Sequence, residues 1–121
     1  MIKIPVSVGE LLDKITILEI KLKKGIKEVG SELDSLNEIK DDLDPPIYVQ
    51  VLHKVLYEIN FSLWDIEDYK RNSEKEKTFD DKFIELSRAV YILNDQRAHI
   101  KKVINKHMDS EIKEWKNYKG Y

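Results

Sequence analysis

Charged side chains set among apolar ones are the residues of this chain best suited to chemistry. The segment FIELSRAVYILNDQRAHIK, residues 83 to 101, carries Arg88, Asn94, Asp95, Arg97 and Lys101 at helical spacings. Guanidinium and ammonium groups on neighbouring turns hold carboxylates or phosphates. Carboxylates such as Asp95, and Glu67 and Asp68 of LWDIED, move protons or hold a hard cation. Arg97 is the one polar member of a stripe, Phe83, Leu86, Val90, Leu93, Arg97, Ile100 and Ile104, that steps by three and four residues like a coiled-coil seam. A charge taken out of water there costs several kcal/mol unless it is paired. Arg97 is therefore expected to meet a carboxylate: Glu58 in hairpin register, or Glu10, Asp13 or Glu19 near the N-terminus.

Two functional classes follow from this set. In the first, the charges are an interhelical network that fixes register in a binding or assembly module. In the second, a small helical enzyme acts on a phosphorylated or carboxylated metabolite, with Glu67, Asp68 and Asp95 as acid/base or Mg²⁺-holding groups and Arg88, Arg97 and Lys101 as anion donors. Helical nucleotide pyrophosphatases do such chemistry with paired ExxE and ExxD carboxylates. That pairing is absent here at convincing spacing, so no metal site is assigned and Mg²⁺ belongs to the enzyme alternative alone. Nor is there a Gly-rich phosphate loop, HExxH, GxSxG or EF-hand loop. Asp95 and His99, four apart, read as a surface hydrogen bond.

The elements that must position these groups are helices of one domain. With 121 residues and 41% hydrophobic content the chain can bury one modest core. Its 21 Lys and Arg against 23 Asp and Glu leave a net charge of −2, which attracts no nucleic acid by bulk electrostatics. Without cysteine there are no disulfides and no thiolate metal sites. No stretch has the run of about 18 apolar residues of a membrane span, and Glu10, Asp13 and Lys14 interrupt any signal-peptide core, so a cytoplasmic protein is expected.

Ser7 and Glu10 have capping-box spacing, which starts a first helix near Val8 whose stripe fades at Gly25 and Gly30, so that it ends near Lys24 to Lys27. A short amphipathic stretch after Ser31 ends at Pro45-Pro46. A third helix starts at Ile47 and loses its apolar stripe in residues 71 to 78; a fourth, capped by Thr78, runs to about Met108. The last two form a long antiparallel hairpin, and Ile112 and Trp115 would add a turn or two in the tail. Trp64 and Tyr91 are expected in the core. Helix three has a second stripe of Tyr57, Phe61 and Trp64, and helix one a second stripe with Ile17 and Ile20. These surplus faces predict an all-α bundle completed by dimerisation.

The strings PVSVGELLDKITILEIK, LWDIED and FIELSRAVYILNDQRAHIK together resemble a small uncharacterised family, a domain of unknown function from bacteria and marine phages. The resemblance spans nearly the whole chain and implies a single all-helical domain with no activity to transfer. The polar residues inside the matching strings are the site candidates that it implies: Glu10, Asp13, Lys14, Glu19 and Lys21; Glu67 and Asp68; Arg88, Asn94, Asp95, Arg97 and Lys101, with the aromatics Trp64 and Tyr91 beside them. A looser likeness to all-helical chorismate mutases fails because the first helix contains no arginine.

Overall fold

The computed structural model describes residues 1–109, in which four α-helices are the regular structure apart from one 3₁₀ turn. Helix α1, Val8–Lys23, starts as its sequence dictates: the Ser7 hydroxyl accepts the Glu10 amide at 3.1 Å. It stops at a turn in which Gly25 takes φ +95°, a conformation suited to glycine. The 3₁₀ turn Lys27–Val29 leads into α2, Gly30–Leu43, so α2 begins at Gly30 rather than after Ser31. Asp44, left-handed at φ 47°, ends α2 before Pro45 and Pro46. Helix α3, Ile47–Glu76, follows, and Lys77 at φ 56° turns the chain toward α4, Asp81–His107.

The cap of α4 is Asp80, not Thr78. Asp80 has extended backbone and its carboxylate accepts the Phe83 amide at 2.9 Å. The Thr78 hydroxyl instead reaches back toward the Glu76 carbonyl within the turn. A carboxylate at that position also faces the positive end of the helix dipole.

Helices α3 and α4 form the antiparallel hairpin, and α1 lies along it as the central element, touching each of the other three helices. Gly9 sits opposite Asn105, and Glu10 and Asp13 opposite Lys101 and Arg97, so α1 runs antiparallel to α4. Asp13 and Thr16 meet Asn60, and Lys24 meets Asp65, so α1 runs parallel to α3. Its 16 residues span about 24 Å against about 45 Å for the 30 of α3, and the hairpin continues past α1 as a two-helix arm. The core is Leu11, Leu12, Ile15 and Leu18 of α1 against Leu33, Val49, Leu56 and Ile104.

Part of the surplus stripes face one another across a groove inside the chain. Ile17 and Ile20 share a groove with Leu63 and Trp64, and the Lys23 and Lys24 ammonium groups stand over the Phe61 ring at 5.2 and 4.9 Å. Trp64 is half-buried and Tyr91 exposed, so neither is a core residue as expected. The turns expected at Ile112 and Trp115 lie outside the described residues. Among the described residues no helix is long and apolar enough to cross a membrane.

Candidate functional site

The charged residues converge on Asp13, which is 1% exposed. Its Oδ1 accepts from Arg97 Nε and Asn60 Nδ2, both at 2.8 Å, and its Oδ2 accepts from Arg97 Nη2 at 2.5 Å. The Lys101 ammonium lies 3.6 Å from Oδ2 and donates to Glu10 Oε2 at 2.7 Å. Asn60 Nδ2 also donates to the Thr16 hydroxyl, which donates to the Asp13 backbone carbonyl. Two acids therefore face two bases across α1 and α4, and Asn60 brings in α3. Burial pushes the Asp13 carboxyl up, but the Arg97 and Asn60 hydrogen bonds and the charges of Arg97 and Lys101 outweigh it and hold the group below its ordinary range. An acid–base catalyst works best with a pKa near the operating pH. Asp13 is instead a fixed anion whose oxygens are already occupied, and it joins three helices.

The same arginine reaches a smaller groove of about 340 Å³, walled by Ile17, Ile20, Leu63 and Trp64, with Glu67, Asp68 and Arg71 at its rim. A second groove of about 680 Å³ opens between α1, the end of α2 and the first half of α3. Leu12, Val49 and Pro45 contribute its apolar lining; Glu19, Lys40, His53, Tyr57 and Glu58 contribute the polar side. His53 Nε2 is buried there with no hydrogen-bond partner among the described residues.

A model of the family described as "Family of unknown function (DUF6165)" matches residues 2–121. The chain belongs to DUF6165. No curated protein and no solved structure matches it.

Of the residues singled out in this DUF6165 chain, the fold brings Glu10, Asp13, Arg97 and Lys101 into one network, and Trp64, Glu67, Asp68 and Arg97 around the smaller groove. Others stand elsewhere. Lys14 pairs with Glu32 at 3.0 Å, Glu19 lies in the larger groove, and Arg88 is on the outer side of α4 with Ile84 and Ile92. Lys21, Asn94 and Asp95 are half-buried, and Glu58 lines the larger groove instead of meeting Arg97. Asn60, Thr16, Asn105 and His53 were missed. Asn60 had a signal, since it is the amide within EINFSLW, four residues from both Leu56 and Trp64.

His53 carries a pH prediction. Burial first, then the Lys40 charge, hold its pKa below the ordinary 6.5, against a hydrogen bond with the Leu12 backbone that raises it. Between that lowered value and 6.5 the unfolded chain binds more protons, so this contribution is fully present above 6.5 and is lost as pH falls through the window. Glu19, whose carboxyl burial pushes above the ordinary 4.5 against the Lys40 charge, acts in the opposite sense. Urea midpoints at about pH 7.5 and about pH 6 are expected to differ less in His53→Gln than in the parent. An equal difference would remove His53 as the cause.

Proposed function

We propose that this chain is a helical binding and assembly module that works as a homodimer. The observation that supports this is the outer face of α3. Ile47, Val51 and Val55 recur every four residues on that face with Tyr48 beside them, and they are 74, 52, 39 and 53% exposed respectively for Ile47, Val51, Val55 and Tyr48. The solvent side of an amphipathic helix is ordinarily polar, and a contiguous apolar strip marks an interaction surface. A two-fold axis across the strip sets one copy's Val51 and Val55 against the other's, which is how one patch becomes self-complementary. The stripes facing α1 are less suited to this, since Ile17, Ile20, Leu63 and Trp64 already wall a common groove within the chain.

The expected result is a light-scattering mass of two chains at micromolar concentration. Val51→Glu combined with Val55→Glu, which sets like charges against each other across the axis, should give one chain while leaving the monomer fold intact, since substitutions at exposed positions typically cost within about 0.5 kcal/mol. A one-chain mass for the parent across that concentration range would overturn the proposal.

A further inference from the structure

We propose that residues 1–6 are an arm that each copy lays on the outer face of α3 in the other copy, so that the exposed strip is closed by a segment of a second chain. This rests on the homodimer reading and names the part of the second copy that completes the interface.

The segment has no seat in its own chain. Residues 1–6 are neither helix nor turn, and Ile2, Ile4 and Val6 are 91, 72 and 49% exposed. None of the six makes a hydrogen bond or ion pair among the described residues. Pro5 keeps the residue before it, Ile4, in extended backbone. Residues two apart in such backbone point to one side, so Ile2, Ile4 and Val6 make a single apolar edge, and Lys3 is the one charged side chain among the six. The root of the segment is fixed. Ser7 is buried and caps α1, and the Gly9 amide behind it is bonded to Asn105.

The strip begins at the same end of the molecule. Asn105 holds the start of α1, and His107, two residues on, meets Tyr48 at the start of α3 with ring centroids 4.6 Å apart. From Ile47 to Val55 the strip covers about 12 Å of helix, and six extended residues reach about 20 Å. The area needed argues for the arm as well. At their exposures Ile47, Tyr48, Val51 and Val55 offer roughly 400 Å² a copy, half of the ~800 Å² that each partner buries in a stable complex, and Ile2, Ile4 and Val6 add roughly 350 Å². Within the single chain both patches stay open although they share an end, so the occupant of the strip is the arm of a second copy. Two-fold symmetry then gives each copy one arm to lend and one strip to receive it, and exchange of a short identical element is a low-cost route to a dimer.

The test uses the absence of cysteine from the chain. Full-length Ile4→Cys and Ile47→Cys chains, mixed and equilibrated in a glutathione redox buffer, are expected to form a disulfide joining the two variants. Its yield should be well above that of Ile4→Cys mixed with Glu85→Cys, whose cysteine stands near the start of α4 at the other end of the hairpin. In sedimentation, Ile2→Ser combined with Ile4→Ser should weaken the dimer by about tenfold or more while leaving the helical circular dichroism of the chain unchanged. A one-chain mass for the parent would sink the homodimer and the arm exchange together. A two-chain parent whose dissociation constant the serine pair leaves unmoved, or whose mixed disulfide does not exceed the Glu85→Cys level, would overturn the arm exchange and leave the dimer standing. A disulfide formed within one chain of the Ile4→Cys, Ile47→Cys double variant, in preference to one between chains, would overturn it too, because the arm would then lie on its own helix.

Discussion

Arg97→Ala is expected to lower the unfolding free energy by about 3 to 5 kcal/mol, the cost of leaving a buried charge without its partner. The charge left behind is Asp13, whose side chain is 2% exposed and which takes two of its hydrogen bonds from the Arg97 guanidinium. Lys101 at 3.6 Å and Asn60 at 2.8 Å would still face it, which places the loss toward the lower end of that range. Replacing both partners, Asp13→Leu with Arg97→Met, removes the stranded charge and is expected to recover much of the loss. The Thr16 and Asn60 side chains keep their own mutual bond in the double variant. Chemical denaturation of the two variants beside the parent measures both numbers. If Arg97→Ala matched the parent, or the double variant were as unstable as the single, the pair would have no keystone role. The linkage gives a second readout. Because the folded pKa of Asp13 is depressed, its contribution is present above the ordinary 3.8 and is lost as pH falls through the folded value, so the acid limb of the parent's stability curve should flatten in the double variant.

The pairing of Arg97 was legible in the sequence because its neighbours in the stripe are apolar and a charge at that position must be met. The identity of its partner was not. Hairpin register places Glu58 level with Arg97, but register fixes height along the axis, not the side of α3 on which a residue stands. Glu58 lies on the far side, in the larger groove, whereas Asn60 faces α1. The helices themselves, the Ser7 cap and the Pro45-Pro46 break follow from local rules and could be read directly. Where α1 lies could not. It is joined to the hairpin by contacts between residues 41 to 96 positions apart, such as Lys24 to Asp65 and Gly9 to Asn105, and no local pattern encodes them. The same blindness hid the larger groove, since His53 and Glu19 become neighbours of one cavity only when α1 docks beside α3. Nor could the sequence show that part of the surplus apolar faces, Ile17 and Ile20 with Leu63 and Trp64, would line one groove within the chain.

Gly9→Ala is expected to cost about 3 kcal/mol or more, an unusually large penalty for one added methyl group. A Cβ at Gly9 would stand 2.6 Å from the Lys101 carbonyl oxygen and 2.9 Å from Asn105 Oδ1. Asn105 could turn aside, but only by giving up the buried 2.7 Å hydrogen bond it accepts from the Gly9 amide. The Lys101 carbonyl belongs to the backbone of α4 and cannot turn, so α1 itself must move away. That motion acts on the next turn, where Glu10 meets Lys101 and Asp13 meets Arg97. Gly30→Ala is the control: Gly30 has helical φ −58°, and a Cβ there meets no described atom within 4 Å, so the substitution should stabilise by about 0.4 to 1 kcal/mol. Denaturant midpoints of the two variants should therefore move in opposite directions. If Gly9→Ala lay within about 0.5 kcal/mol of the parent, the close approach of α1 to α4 would be wrong. The decisive form combines Gly9→Ala with Arg97→Ala. If the first works by pulling Asp13 off its guanidinium, the two losses overlap and the double variant falls short of their sum, whereas additive losses would mean that the glycine contact and the ion pair hold α1 separately.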